Sequence, residues 1–277
     1  RSLKPGQVAN TGLFSGMGQH PGLLARRYVV EHEGTGSLKY EELARLVEHG
    51  DHRDLIEIET GAPGNATISI TATDPKDPIR NIRIRAEGSE AKSGELFNPL
   101  FLERLKGYRA LRFGIWQLGE SPEDLVNWSL RWKDRPRLQD ARWTRNGAPI
   151  EVMVALANRV QADPWFQMPH AADDDYVRRF AELVAKTLDP RLKVYLEYSN
   201  EMWNTMFVGT AYARERGLAQ GLSQDPDEAV LRFYAKRSVE VFSIWEKFFP
   251  KERLVRVLAF QSDTEPAYAD EIALSFR

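Results

Sequence analysis

The residues most able to do chemistry follow a short apolar segment near position 200. Residues 195–204 read YLEYSNEMWN, which places Asn200 directly before Glu201 and Trp203 shortly after it. A carboxyl group positioned beside a bound molecule can give and take a proton. The flat face of a Trp can stack on a ring. The segment therefore indicates a general acid/base centre with Glu201 as the proton-transferring residue.

A parallel sheet is predicted to position this segment, because helices alternate with apolar strands from about residue 97 onward. We predict strands at 110–116, 165–168, 194–199 and 254–260, and helices at 98–106, 149–161, about 173–188 and 225–248. Eight such strands close a (β/α) barrel, and reactive side chains of that fold lie where strands end. We expect residues 97–277 to form a partial TIM-type barrel with Glu201 at a strand end.

The preceding residues have a different pattern. Segments 28–31, 55–59, 66–71 and 79–84 alternate β-branched with polar residues and are separated by Gly and Pro turns. This alternation predicts a small antiparallel β-sandwich over residues 1–96. Residues 41–49 also fit a short amphipathic helix, because Leu43, Leu46 and Val47 fall at helical spacing.

Composition limits the class of partner. The formal net charge is -2 and no long block of one sign occurs, which argues against a nucleic-acid partner. No apolar stretch approaches the length that inserts into a membrane. The chain has no Cys, and the acidic run 173–175 is explained by helix capping, so we expect no metal and no cofactor. The opening residues, without Met or a signal core, indicate that the natural N-terminus was removed or not included.

Candidate polar residues lie on or directly after three successive predicted parallel strands. Arg112 lies on the first, His170 follows the second, and the pair Asn200 and Glu201 follows the third. In this order the chain resembles glycoside hydrolases of clan A, in which an Asn-Glu pair ends the fourth barrel strand. The resemblance implies that Glu201 is the acid/base, that Asn200 holds the sugar 2-hydroxyl, and that Arg112 and His170 belong to the substrate site.

A closer resemblance covers residues 97–261, and segments 165–170 (WFQMPH) and 197–204 (EYSNEMWN) carry it. It is to a group of large bacterial proteins related to these hydrolases, with a β-domain ahead of the barrel strands. This resemblance implies action on a polysaccharide or oligosaccharide and an extracellular or cell-surface location. Trp116, Trp165 and Trp203 are the candidate sugar-contacting aromatics.

Glycoside hydrolysis needs a second carboxylate. The resemblance assigns the nucleophile to a seventh barrel strand, which would lie beyond Arg277, and Glu265 is the in-chain alternative. We expect retaining hydrolysis, with the remaining barrel segments supplied by missing residues or other chains.

Plainer interpretations stand beside these. Glu201 could be a first-turn helix carboxylate, His170 could support a loop, and Arg112 could pair with Glu197. Any of the Trp residues could be packing residues. The alternative function is a non-catalytic carbohydrate-binding or scaffolding protein. An unrelated α/β enzyme is disfavoured, because the sequence has no phosphate-binding loop, no Gly-x-Ser-x-Gly elbow and no zinc-spaced His cluster.

Overall fold

The computed structural model describes residue 3 and residues 7–15, 26–88, 96–118, 130–140, 143 and 147–260 of the chain. It divides the chain into two compact units, Arg1–Glu95 and Leu96–Arg277. Each unit has a hydrophobic cluster of its own. We refer to them as the β unit and the α/β unit.

The β unit consists of two antiparallel sheets. Its strands are β1 (Ala9–Ser15), β2 (Arg27–Glu33), β3 (Gly36–Glu42), β4 (Ala44–Gly50), β5 (Arg53–Ile58), β6 (Asn65–Thr73) and β7 (Arg80–Ala86). One sheet has the order β1-β6-β3 and the other the order β4-β5-β2-β7. Both sheets contribute to one apolar cluster, in which Val30 and Ile56 of the second sheet join Ile68 of the first.

The helical alternative for residues 41–49 is wrong, because this segment contains the end of β3 and most of β4. Strand β4 pairs antiparallel with β5, which satisfies its backbone groups without a helix. Leu43 is buried whereas Leu46 and Val47 are exposed. The three apolar residues at helical spacing therefore do not share a buried face.

The α/β unit alternates helices and strands. Its elements are α1 (Pro99–Leu105), β8 (Ala110–Arg112), α2 (Ile115–Leu118), α3 (Ile150–Val160), β9 (Asp163–Met168), α4 (Asp174–Thr187), β10 (Val194–Tyr198), α5 (Val208–Ala219), α6 (Pro226–Trp245) and β11 (Leu254–Val257), with a short 3-10 helix at Trp132–Asp134. The strands form one parallel sheet in the order β11-β10-β9-β8.

The predicted TIM-type barrel is wrong. The described strands form an open four-stranded parallel sheet within a mixed α/β fold, and β8 and β11 are its edges. A barrel requires every strand to pair on both sides. Alternating helices and strands do predict parallel pairing, but this pattern sets neither the number of strands nor their closure. The expectation of further barrel segments depended on that fold class.

Strand β8 is shorter than the predicted strand 110–116. The chain turns at Gly114, whose φ is +47°, and α2 begins one residue later. The N–H of Trp116 donates to the carbonyl of Phe113 at 2.8 Å, which closes this turn. Trp116 therefore lies on a short helix and not on a strand. Helix α5 was not predicted from the sequence.

The acidic run before α4 has the predicted capping role. The side chain of Asp173 accepts a hydrogen bond from the N–H of Tyr176 at 2.7 Å, and Asp174 and Asp175 occupy the first turn. Asp225 caps α6 in the same way, accepting from the N–H groups of Asp227 and Glu228. Carboxylates at these places also interact favourably with the helix dipoles.

The two faces of the parallel sheet differ in chemistry. Phe166 and Leu196 alternate inward to the helices, where the ring of Phe166 contacts Phe180 of α4 and Trp245 of α6. The opposite face carries Trp165 and Gln167 of β9 and Tyr195 and Glu197 of β10, which alternate with those core residues. We call this the polar face of the sheet.

Candidate active site

The candidate site lies at the carboxyl ends of the three neighbouring strands β8, β9 and β10. In a parallel sheet these ends lie at the same edge, so residues distant in sequence meet there. Arg112 ends β8, Gln167 lies near the end of β9, and Asn200 and Glu201 follow β10. This edge is the usual location of ligand sites in open parallel sheets.

Arg112 and Glu197 form the ionic centre of the site, as the plainer interpretation of Arg112 predicted. Nη2 of Arg112 donates to Oε1 of Glu197 at 3.1 Å, and its Nε donates to Oε2 at 3.3 Å. The indole N–H of Trp165 donates to the same Oε2 at 2.8 Å. Glu197 is only 1% exposed, so the guanidinium and the indole together supply the partners that a buried carboxylate needs.

Trp165 is held on two sides. Its ring lies 5.6 Å from that of Tyr195 in a stacked arrangement, and the guanidinium carbon of Arg112 lies 5.3 Å from the indole centroid. A cation over an indole face is attracted to it. Trp165 is therefore part of the framework that orients Arg112.

Asn200 connects this centre to the loop after β10. Its Oδ1 accepts from Nη2 of Arg112 at 3.0 Å and from Nε2 of Gln167 at 3.1 Å. An amide oxygen has two lone pairs, and both are used here. The side-chain N–H groups of Asn200 are then the part of the amide that can donate to a bound molecule.

The backbone around Asn200 is strained. Ser199 has φ +61° and Glu201 has φ +44°, both in the left-handed region that residues other than Gly rarely adopt. Such conformations cost on the order of 1–3 kcal/mol each and are concentrated at functional sites. The N–H of Ser199 donates to the carbonyl of Met168 at 2.7 Å, which fixes this bend to the end of β9.

Glu201 is half-buried on the loop between β10 and α5. Its Oε2 accepts from the side-chain amide of Asn204 at 2.8 Å, and its carbonyl accepts from the N–H of Asn204. The carboxyl group is therefore oriented by one neutral donor and is not consumed by an ion pair with a described cation. A carboxyl group held this way can still exchange a proton with a ligand.

His170 lies against α5. Its ring centroid is 5.2 Å from that of Tyr212, and its carbonyl accepts from the hydroxyl of Tyr198 at 2.8 Å. Burial raises the pKa of Tyr198, so its hydroxyl keeps the proton that it donates. The described contacts of His170 are therefore with Tyr212 of α5 and Tyr198 of β10. They do not include Arg112 or Asn200.

Trp116 and Trp203 are not among the described hydrogen-bond partners of Arg112 and Glu197. Trp116 stacks on Phe113 at 6.1 Å and lines a cavity of about 600 Å³ with mainly apolar residues of α1, β8 and α3. Arg112 and Gly114 also line this cavity, which places it beside the strand end. Trp203 is half-buried on the loop that carries Glu201. Contact between a sugar and the ring of either Trp stays a prediction.

Gln167 and Gln117 are the site residues that sequence reasoning missed. Gln117 Nε2 donates to the carbonyl of Gln167, and Gln117 Oε1 accepts from the N–H of Gln167 at 2.8 Å. Gln167 in turn reaches Asn200. The available signal was a Gln inside the apolar strand 163–168, where an amide needs hydrogen-bond partners.

In the part of the chain that the structure describes, no group of three or more His, Asp or Glu residues is arranged to hold a metal ion. None of the helices in that part is long and apolar enough to cross a bilayer. Glu265, the in-chain alternative for the second carboxylate, lies outside the described residues.

No protein-family model, no curated protein and no solved structure matches this chain.

Proposed function

We propose that the α/β unit belongs to a glycoside hydrolase that acts on a polysaccharide by a retaining two-carboxylate mechanism, with Glu201 as acid/base. One observation carries the proposal. An amide, Asn200, is fixed as a donor beside Glu201 by Arg112 and Gln167, at the carboxyl ends of adjacent parallel strands. This arrangement suits a neutral, hydroxyl-rich ligand next to a proton-transferring acid.

Each member of the network has a distinct role in this proposal. Glu201 protonates the leaving oxygen, and the amide of Asn200 donates to a sugar hydroxyl, which the clan A resemblance identifies as the 2-hydroxyl. Arg112 orients Asn200 and neutralises Glu197. Glu197 is buried, so it acts on the ligand only through Arg112 and Trp165.

The second carboxylate, the nucleophile, is proposed to be a residue that is not among residues 1–277, and Glu265, which lies outside the described residues, is the in-chain alternative. A separation of roughly 5 Å between the two carboxyl groups would give retention, and roughly 8 Å would give inversion. The configuration of the first product, read by NMR during hydrolysis, distinguishes the two.

The remaining candidates are assigned to substrate contact. His170, Trp165, Trp203 and Trp116 stay proposed binding residues. The indoles of Trp116 and Trp203 are proposed to stack on sugar rings, and Trp165, whose ring lies between Tyr195 and Arg112, would contact a sugar at its edge. Because Trp165 also orients Arg112, its replacement would lower turnover as well as binding.

The test is the release of reducing ends from a panel of bacterial and plant polysaccharides by the full-length protein and by its Glu201→Gln variant. Loss of a general acid lowers the rate by roughly 10²–10⁴-fold. The matched control is Glu215→Gln, which changes an exposed Glu on the neighbouring helix α5 and should leave the rate unchanged. Undiminished hydrolysis by Glu201→Gln would show that the acid/base assignment is wrong.

Binding without turnover would instead support the alternative of a carbohydrate-binding or scaffolding protein. The panel is therefore also measured by calorimetry. Binding of a polysaccharide that neither the wild-type protein nor either variant cleaves would decide for that alternative.

A further inference from the structure

Gln167 occupies an unusual position for an amide side chain. It lies on the interior strand β9 and is completely buried. Its Nε2 donates to two acceptors in the bend after β10, the carbonyl of Ser199 at 3.3 Å and Oδ1 of Asn200 at 3.1 Å. One buried group thus holds both the strained backbone and the amide that faces the ligand.

The backbone of Gln167 is itself fixed from the other side. The side-chain amide of Gln117 pairs with both its N–H and its carbonyl, as a neighbouring strand would. Gln117 follows the short strand β8, which ends at Arg112 and so provides no pairing at this level. The backbone of Gln167 is therefore held in place by contacts that do not involve Asn200.

The arrangement also has a cost. Among the described residues, Oε1 of Gln167 is buried and has no hydrogen-bond partner. Leaving a buried acceptor without a hydrogen bond destabilises the folded state. Rotating the Gln167 amide by 180° would move its N–H donors away from Asn200 and Ser199. The orientation that keeps these two hydrogen bonds therefore leaves Oε1 unpaired among the described residues. Ser199 and Glu201 add two positive φ values in the same place. Unfavourable backbone angles and unpaired buried groups of this kind are expected mainly at functional or strained sites.

We infer that Gln167 is a positioning residue that, supported by Gln117, locks the Asn200 amide with its oxygen inward and its N–H groups toward the ligand. Asn200 is then a donor only, and the site selects a ligand oxygen that can accept a hydrogen bond at that point. The kinetic consequence rests on the proposed hydrolysis. The orientation of Asn200 does not, because it can be measured without a substrate.

The first measurement is the order parameter of the Asn200 side-chain amide from ¹⁵N relaxation, with Asn200→Ala used to identify the signal. In the wild-type protein we expect a value near that of rigid backbone, about 0.85, and in Gln167→Met a value below about 0.6. The control Gln220→Met, at the exposed C-cap of α5, should leave the signal unchanged. If Gln167→Met does not fold, Gln167→Asn, which is too short to reach Asn200, replaces it. A mobile Asn200 amide in the wild-type protein would overturn the inference without any variant.

The second measurement uses turnover on whichever polysaccharide the panel identifies. Gln167→Met should lower kcat by roughly tenfold to a hundredfold, with a smaller change in KM, because misplacement of a contact group acts mainly on the transition state. In the Asn200→Ala background the same change should alter kcat by less than about twofold, because no Asn200 amide is left for Gln167 to position and about twofold is the scatter of such double-mutant comparisons. Equal losses in both backgrounds would mean that Gln167 does not act through Asn200. If no polysaccharide is cleaved, the proposed function fails and the relaxation result still decides the inference.

Discussion

Asp54 of the β unit and Glu197 of the α/β unit are both buried carboxylates, and different donors hold them. In the β unit Asp54 is 4% exposed, and it accepts from the hydroxyl of Tyr40 at 2.6 Å and from Nδ1 of His49 at 2.7 Å. In the α/β unit the partners of Glu197 are a guanidinium and an indole. Only the second carboxylate has a permanent cation beside it.

The two networks also end differently. The Asp54 network connects β3, β4 and β5, and its contacts join the two sheets of the β unit. The Glu197 network continues through Arg112 to the amide of Asn200, next to two residues with positive φ. Buried charge by itself therefore marks no site. A buried charge whose partners orient an outward-facing polar group in a strained bend is the stronger indication of function.

The largest expected effect is from Arg112→Met, which leaves Glu197 buried without its cation. Removing one partner of a buried pair costs 3–5 kcal/mol, and because Arg112 is itself 40% exposed we expect about 3 kcal/mol. The free energy of unfolding from a denaturant titration measures it. The control is Arg85→Met, whose partner Glu31 is exposed, with an expected loss under about 1 kcal/mol. Equal losses in the two variants would contradict the comparison.

A smaller effect is expected from Tyr40→Phe, which removes a neutral donor from Asp54. A hydrogen bond to a charged group contributes about 1.5–3 kcal/mol, and because His49 still donates we expect a loss of about 2 kcal/mol. Tyr108→Phe, at an exposed Tyr, serves as the control and should change stability by less than about 0.5 kcal/mol. The same denaturant titration applies, and a Tyr40→Phe loss no larger than the control would mean that Asp54 does not depend on Tyr40.

The smallest effect concerns alkaline pH. Burial, and then its hydrogen bond to Asp54, raises the pKa of Tyr40 well above the ordinary value near 10. Above that pH the unfolded chain releases the proton and the folded chain keeps it, so stability is complete below about pH 10 and falls as the pH rises further. Burial raises the pKa of Tyr176, Tyr198 and Tyr234 in the same direction.

Tyr40→Phe should therefore reduce the slope of stability against pH above about pH 10. One group contributes at most about 1.4 kcal/mol per pH unit, and because the unfolded chain is only partly deprotonated around pH 10, the average over pH 9 to 11 is about 0.7 kcal/mol per pH unit or less. Unfolding free energies measured from pH 9 to 11 give both slopes, and Tyr108→Phe is again the control. Identical slopes for the wild type and Tyr40→Phe would show that Tyr40 titrates alike in the folded and unfolded chains.

The sequence by itself determined many of the local elements and the order of the candidate residues. Period-two alternation identified strands such as β2, β5 and β6, and acidic N-caps identified the starts of α4 and α6. Apolar strands between helices predicted the parallel pairing of β8 to β11. These features depend on neighbouring residues, which is why they can be read directly from the chain.

Tertiary structure alone decided which strands pair in the described sheets and which polar groups meet. The pairing order of the described parallel strands depends on segments that are distant in the chain, and the strand conformation of residues 44–50 depends on their pairing with β5. Gln167 and Asn200 are brought together by the register of β9 against β10, and Gln117 reaches Gln167 across 50 residues. A buried amide is recognisable in a sequence, but the partner that fixes its direction is set by packing between strands and not by spacing along the chain.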